Sequence, residues 1–150
     1  MKMKRVMVFI LTLGFVLGLG SLNALGMTLQ DGVYKVAFDK PDSFGYKAFL
    51  ELTVQGGRIE SAVFDYVSSQ DGSLKSEDPA YEKAMKSKVG VGPAEYTKEL
   101  VKELLASQKP KVDVVAGATE SSSDFDLLAR AAFKKAYAGD TTESTIPQPN

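Results

Sequence analysis

The chain contains no cysteine and no histidine in 150 residues. Without cysteine there is no disulfide framework, no thiolate nucleophile, and no attachment atom for the lipid of an acylated N-terminus. Without histidine there is no Ser-His-Asp triad, no zinc centre of the usual nitrogen and sulfur type, and no histidine-ligated haem. Redox chemistry in such a chain has to be borrowed from a cofactor that needs neither residue.

A membrane-length apolar run is also missing, because the stretch from Val6 to Leu19 falls short of the roughly 20 residues a spanning helix takes. Lys2, Lys4 and Arg5 precede that stretch, and Ala24 and Gly26 follow it as small residues at peptidase-readable positions. Residues 1–26 are therefore expected to be a signal peptide, cleaved after Gly26, and the protein to be extracytoplasmic: periplasmic, at the cell surface or secreted. With no cysteine, it is expected not to be a lipoprotein. Removing residues 1–26 leaves 15 basic residues against 19 acidic ones, a formal charge of −4, so nucleic acid is not an expected partner. Residues 27–138 suit one domain with one core. The polar stretch 139–150, with Pro147 and Pro149, is expected to be a disordered tail.

Hydrophobic alternation predicts three strands. Tyr34, Val36 and Phe38 share a face in the first, and Leu50, Leu52 and Val54 share one in the second, Tyr46 to Gln55. The third, Arg58 to Val67, sets Ile59 and Val63 against Ala62, Phe64 and Tyr66, and Gly56-Gly57 suits a tight hairpin before it. Asp78-Pro79 reads as an N-cap and first residue of a short helix through Tyr81 and Met85. Ala94 to Ser107 follows as a helix with Tyr96, Leu100, Val101, Leu104 and Leu105 on one side.

The organising stretch is Asp113-Val114-Val115-Ala116-Gly117-Ala118-Thr119-Glu120-Ser121-Ser122. Gly117 and Ala118 offer almost no side chain, so a large ligand gains clearance and the Thr119 hydroxyl is expected to be accessible. Ser121 and Asp124 are spaced as a capping box ahead of Phe125, Leu128, Ala129, Ala132, Phe133 and Ala136, which recur at helical spacing to a stop at Gly139. Thr119 is thus expected just before a helix N-terminus, where free amides favour an anion. Taken alone, a Gly-Ala turn with a hydroxyl is also an ordinary strand-to-helix connection.

The segment Asp113 to Thr119 resembles the flavinylation motif of the FMN-binding domain family, an Asp, three residues, Gly-Ala and then Thr or Ser. The strand pattern from Asp31 and the run Arg58-Ile59-Glu60-Ser61-Ala62-Val63-Phe64 are similar to that family's sheet, so the resemblance runs to about Tyr137. It implies an α+β fold, an antiparallel β-sheet covered by helices. It implies FMN joined covalently through a phosphodiester to Thr119, attached by a flavin transferase that uses FAD as donor and a divalent cation. The cofactor-binding residues are then Thr119, Asp113, Gly117, Ala118, Glu120 and Ser121, with Lys75, Ser76 and Tyr81 as contacts to the flavin ring. The protein becomes an electron-transfer carrier between redox partners, with no catalytic residue and no metal site of its own. Ala116 departs from the family, which usually has Ser or Thr there. That departure keeps open a non-covalent flavin or small-ligand module, and a secreted structural or antigenic domain without cofactor is the other alternative.

Overall fold

The computed structural model describes residues 27–149, so the signal-peptide expectation for residues 1–26 lies outside the described residues. The chain runs through strands β1 (Gly32–Phe38), β2 (Tyr46–Gln55) and β3 (Arg58–Ser68), then a 3₁₀ turn at Lys75–Glu77. Helices α1 (Pro79–Val89), α2 (Pro93–Ser107) and α3 (Thr119–Ala138) follow, and β4 (Ser144–Ile146) closes the order. The fold is α+β: a four-stranded sheet ordered β3-β2-β1-β4, in which β1, β2 and β3 are antiparallel and β4 is parallel to β1.

The strands form where the alternation predicts. Tyr34, Val36 and Phe38 in β1 and Leu50 and Leu52 in β2 are wholly buried on the side that α2 and α3 cover. On the helices, Tyr96, Leu100, Leu104, Phe125, Leu128 and Ala129 meet them, and Phe64 takes Phe125 edge-on with ring centres 5.0 Å apart. Each large apolar side chain buried this way stabilises the domain by about 2 kcal/mol before ordering entropy is subtracted. Gly56 and Gly57 both hold positive φ (61° and 72°), the requirement of a type I′ hairpin turn.

Three details depart from the sequence reading. In β3 the register shifts between Thr53 and Val54, so Val54 pairs Ile59 while Thr53 pairs Ser61, and Glu60 is the extra residue of a bulge. Ile59 consequently joins Phe64 and Tyr66 in the core, and Val63 is half exposed instead of sharing a face with Ile59. The expected disordered tail contains β4: Asp39 N donates to Ile146 O, Gln148 N donates to Asp39 Oδ1, and Ile146 packs against the core. A strand of three residues is too short to show a period, and it exists because β1 offers a free edge. The helix-capping residues of α3 also differ, as described below.

The opposite edge, β3, is closed by side chains. Gln108, in the left-handed region at φ 56°, accepts from Ile59 N at 2.8 Å and donates to Ile59 O at 3.0 Å, imitating a neighbouring strand. Asp65 accepts from Tyr66 N at 2.8 Å further along.

Candidate functional site

The turn before α3 is held by Ser122. Its Oγ accepts from Val115 N at 3.0 Å and donates to Ala118 O at 2.8 Å, while Ala118 N donates to Val115 O. Helix α3 begins at Thr119 with Ala118 in the N-cap position and no side-chain cap. The capping box expected of Ser121 and Asp124 is not formed. Ser121 lies inside the first turn and is buried, and Asp124 accepts from the Tyr66 hydroxyl at 2.9 Å. The first helical bond runs from Ser122 N to Ala118 O, so the amides of Thr119, Glu120 and Ser121 have no acceptor within the helix.

Gly117 is needed for a different reason from the expected ligand clearance. Its φ is +82°, and an added Cβ would lie 2.5 Å from the carbonyl oxygen of Val89. The missing side chain lets the end of α1 close over the turn. Ala118 is buried, whereas Thr119 is exposed as expected.

Lys75, Tyr81, Gly117, Ala118, Thr119, Glu120 and Ser121 together line one cavity of about 350 Å³, within the size range of small-molecule sites. Ser76 and Asp113 are not brought to it. Ser76 turns toward Asp65, which accepts from both its amide and its hydroxyl. Asp113 is exposed on the far side of the turn's sequence, its N–H donating to Glu103 Oε1 at 2.7 Å.

Sequence reasoning did not find the aromatic cage at this cavity. Lys75 Nζ stands 5.0, 4.5 and 4.6 Å from the ring centres of Tyr46, Tyr66 and Tyr81. The residue is only 6% exposed, and its ammonium makes no hydrogen bond or ion pair among the described residues. Cation–π attraction of this kind is worth about 2 kcal/mol per desolvated contact, so the three rings together offset much of the several kcal/mol that withdrawing an ammonium from water costs. Tyr96 also lines the cavity, and its hydroxyl is buried without a partner that meets hydrogen-bond geometry. Burial pushes its pKa up, and the neighbouring Ser121 hydroxyl opposes the shift. Burial likewise raises the Tyr66 hydroxyl, reinforced by the charge of Asp124. Asp124 is itself raised, first by burial and then by the charges of Asp42 and Glu120, while its Tyr66 bond and Lys75 act in the other direction.

Phe44, 68% exposed, sits at the mouth of the cavity. Its loop is fixed by Asp42 Oδ1, which accepts from Phe44 N and Tyr46 N at 2.9 Å each. A readable sign of the cage was Asp65 itself, a carboxylate in mid-strand between Phe64 and Tyr66, where β structure disfavours Asp. A second groove, of about 580 Å³, shares Asp42, Phe44, Glu120 and Asp124 with the cavity, and a third depression of about 470 Å³ lies between Lys35 and Phe49. Neither joins a buried cation, aromatic faces and the free amides of a helix start.

No family model matches the chain. It is 37% identical over 133 residues to the "15 kDa lipoprotein" of Treponema pallidum (strain Nichols), covering 88% of this chain and 91% of that one. A crystal structure of a Clostridium perfringens protein is similar at TM-score 0.79 and 37% identity, covering 81% of this chain and all (100%) of that one. A solution structure of a Clostridium thermocellum protein has TM-score 0.49 and 22% identity, over 72% and 92% of the two chains. The name of the Treponema relative overturns the expectation that this protein is a secreted or periplasmic protein outside the lipoprotein class. The expectation rested on the absence of cysteine, and a composition argument about one chain does not carry against a relative that matches most of it.

Proposed function

We propose, from the turn before α3 and the cavity it borders, that this chain, which belongs to the family of the 15 kDa lipoprotein of Treponema pallidum, carries FMN joined through a phosphodiester to Thr119 as an electron-transfer protein. The observation that carries the reading is the position of Thr119. An exposed hydroxyl on the first residue of α3 borders a cavity that the Lys75 side chain and tyrosine rings also line. Those residues fit the group. The amides of Thr119, Glu120 and Ser121 suit a diester's single negative charge, although Glu120 adds a like charge beside it. The exposed Phe44 and half-buried Tyr81 supply aromatic surface for a planar ring, and Lys75 and the orphaned Tyr96 hydroxyl supply donors for its polar edge. Bound FMN supplies reversible uptake of one or two electrons.

In maturation Thr119 Oγ1 would be the nucleophile toward the flavin-side phosphate of FAD, with AMP as the leaving group and the hydroxyl proton passing to the transferase. A divalent cation on the transferase neutralises the pyrophosphate. The domain itself presents Thr119. Two roles suit Asp113, orienting the turn or helping the transferase hold its cation. Its exposed carboxylate favours the second, since Ser122 already fixes the turn.

The test is incubation of the full chain with a flavin transferase, FAD and Mg²⁺. The protein is expected to turn yellow, stay yellow through denaturation, and gain the mass of FMN less water on the peptide containing Thr119. Thr119→Ala is expected to remain colourless while keeping its fold, because the side chain is exposed and makes no capping bond. Colour on Thr119→Ala, or attachment at the buried Ser121, would overturn the assignment. A second reading, non-covalent flavin binding, is favoured by Ala116, and colour that washes out on denaturation selects it.

A further inference from the structure

Lys75 is a buried residue whose ammonium keeps some access to the cavity it borders and makes no hydrogen bond or ion pair among the described residues. Its contacts with Tyr46, Tyr66 and Tyr81 offset part of the desolvation cost of the ammonium, a cost that a Met filling the same space would not incur. The position is also fixed from outside the cage. Asp65 accepts from Ser76 N at 3.2 Å and from Ser76 Oγ, and so ties the turn Lys75–Glu77 to β3 next to Tyr66. The ammonium thus has no hydrogen-bonded counter-ion among the described residues, although it feels the charge of Asp124, and the neutral donor Tyr96 Oη, also without a partner, lines the same cavity.

The other charged groups bordering the cavity are the carboxylates of Asp42, Glu120 and Asp124. Their sum disfavours a free dianion and also opposes charge that develops on a bound ligand, so Lys75, the one cation lining the cavity among the described residues, suits a ligand edge that is polar and neutral at rest and gains negative charge beside it. A flavin ring has such an edge. Its pyrimidine half carries carbonyl acceptors, and uptake of two electrons and one proton leaves one negative charge there. Resting on the flavin reading above, we infer that Lys75, held in its tyrosine cage, binds the pyrimidine edge of the isoalloxazine ring and raises its reduction potential by favouring the reduced, anionic form. Phe44, Met85 and Val89 would supply apolar lining for the rest of the ring. No bond to the protein forms or breaks in this step. In the test, dithionite gives the electrons and water the proton.

The experiment uses the full chain loaded with FMN, with loading established first by colour that survives denaturation. Lys75→Met and Lys75→Gln are expected to lower the two-electron midpoint potential by at least about 30 mV, a tenfold loss of preference for the reduced form. Lys75→Arg keeps the charge and is expected to restore most of it. Asp124→Asn, which leaves Tyr66 an acceptor, is expected to move the potential up. Loaded variants that all share the wild-type potential would overturn the inference and leave Lys75 as a pin of the fold, visible only in a lower Tm. A wild-type chain that takes up no flavin at all would instead overturn the flavin reading, a failure told apart by its lack of colour.

Discussion

Gly117→Ala is expected to lose about 3 kcal/mol of stability and, with it, the ability to present Thr119. A non-glycine residue at a φ of +82° costs about 1–2 kcal/mol in backbone strain alone. The new Cβ would also stand 2.5 Å from the Val89 carbonyl oxygen and 3.3 Å from its Cβ. That neighbour is backbone at the end of α1, just before its left-handed cap Gly90, so it gives way only if the end of α1 lifts off the turn. Gly92→Ala makes an instructive contrast. An added Cβ there would meet the Glu82 carboxylate at 2.2 Å, a closer approach, yet a flexible side chain can swing aside. What is lost is the bond from Ala94 N to Glu82 Oε2, by which Glu82 caps α2 from a neighbouring helix, so about 1 kcal/mol is expected. Urea unfolding of both variants checks the order through the midpoint, provided the slope is unchanged. A Gly117→Ala protein within 1 kcal/mol of wild type would show that the turn is held less tightly than its geometry implies.

The readings that succeeded were those that depend on period. The alternation in β1 and β2 and the stripes Tyr96–Leu100–Leu104 and Phe125–Leu128–Ala132 follow from burying one face, and no tertiary detail is needed to see them. The readings that failed depend on who sits opposite. One inserted residue at Glu60 reverses the facing of Ile59, and β4 exists only because β1 has an edge to give. The capping box failed because Ser121 and Ser122 look alike in sequence. The turn's geometry sends Ser122 back to Val115 and Ala118, while Asp124 is claimed by Tyr66 from β3, 58 positions away. The candidate site divides along the same line. Gly117 to Ser121 are contiguous and were legible as a unit, whereas the cage gathers Tyr46, Tyr66, Lys75 and Tyr81 from β2, β3, the 3₁₀ turn and α1. No local spacing records that meeting.

The one residue that organises the meeting is Asp65, and its replacement is expected to have the other large effect. Asp65 is 4% exposed, and its carboxylate accepts from Tyr66 N at 2.8 Å, Ser76 N at 3.2 Å and the Ser76 hydroxyl. Hydrogen bonds to a charged acceptor are each worth about 1.5–3 kcal/mol, and removing the acceptor strands buried donors that water reaches poorly. Asp65→Ala should therefore cost about 3 kcal/mol overall, part of the gross loss being offset because an unpaired carboxylate no longer has to be desolvated. The damage should also be local in a recognisable way. The turn Lys75–Glu77 contacts β3, α2 and α1, and with its tie to β3 cut, Lys75 can leave the tyrosine rings for solvent. Amide exchange should then rise at Ser76 and Tyr66 well before the core strands β1 and β2 respond, a sub-global opening below the unfolding free energy. Asp65→Asn retains a carbonyl acceptor for the two amides and should fall between wild type and Ala. Uniform acceleration of exchange in Asp65→Ala, with Ser76 no more exposed than Leu50, would mean that Asp65 supports the sheet edge alone and that the cage is assembled by its aromatic faces.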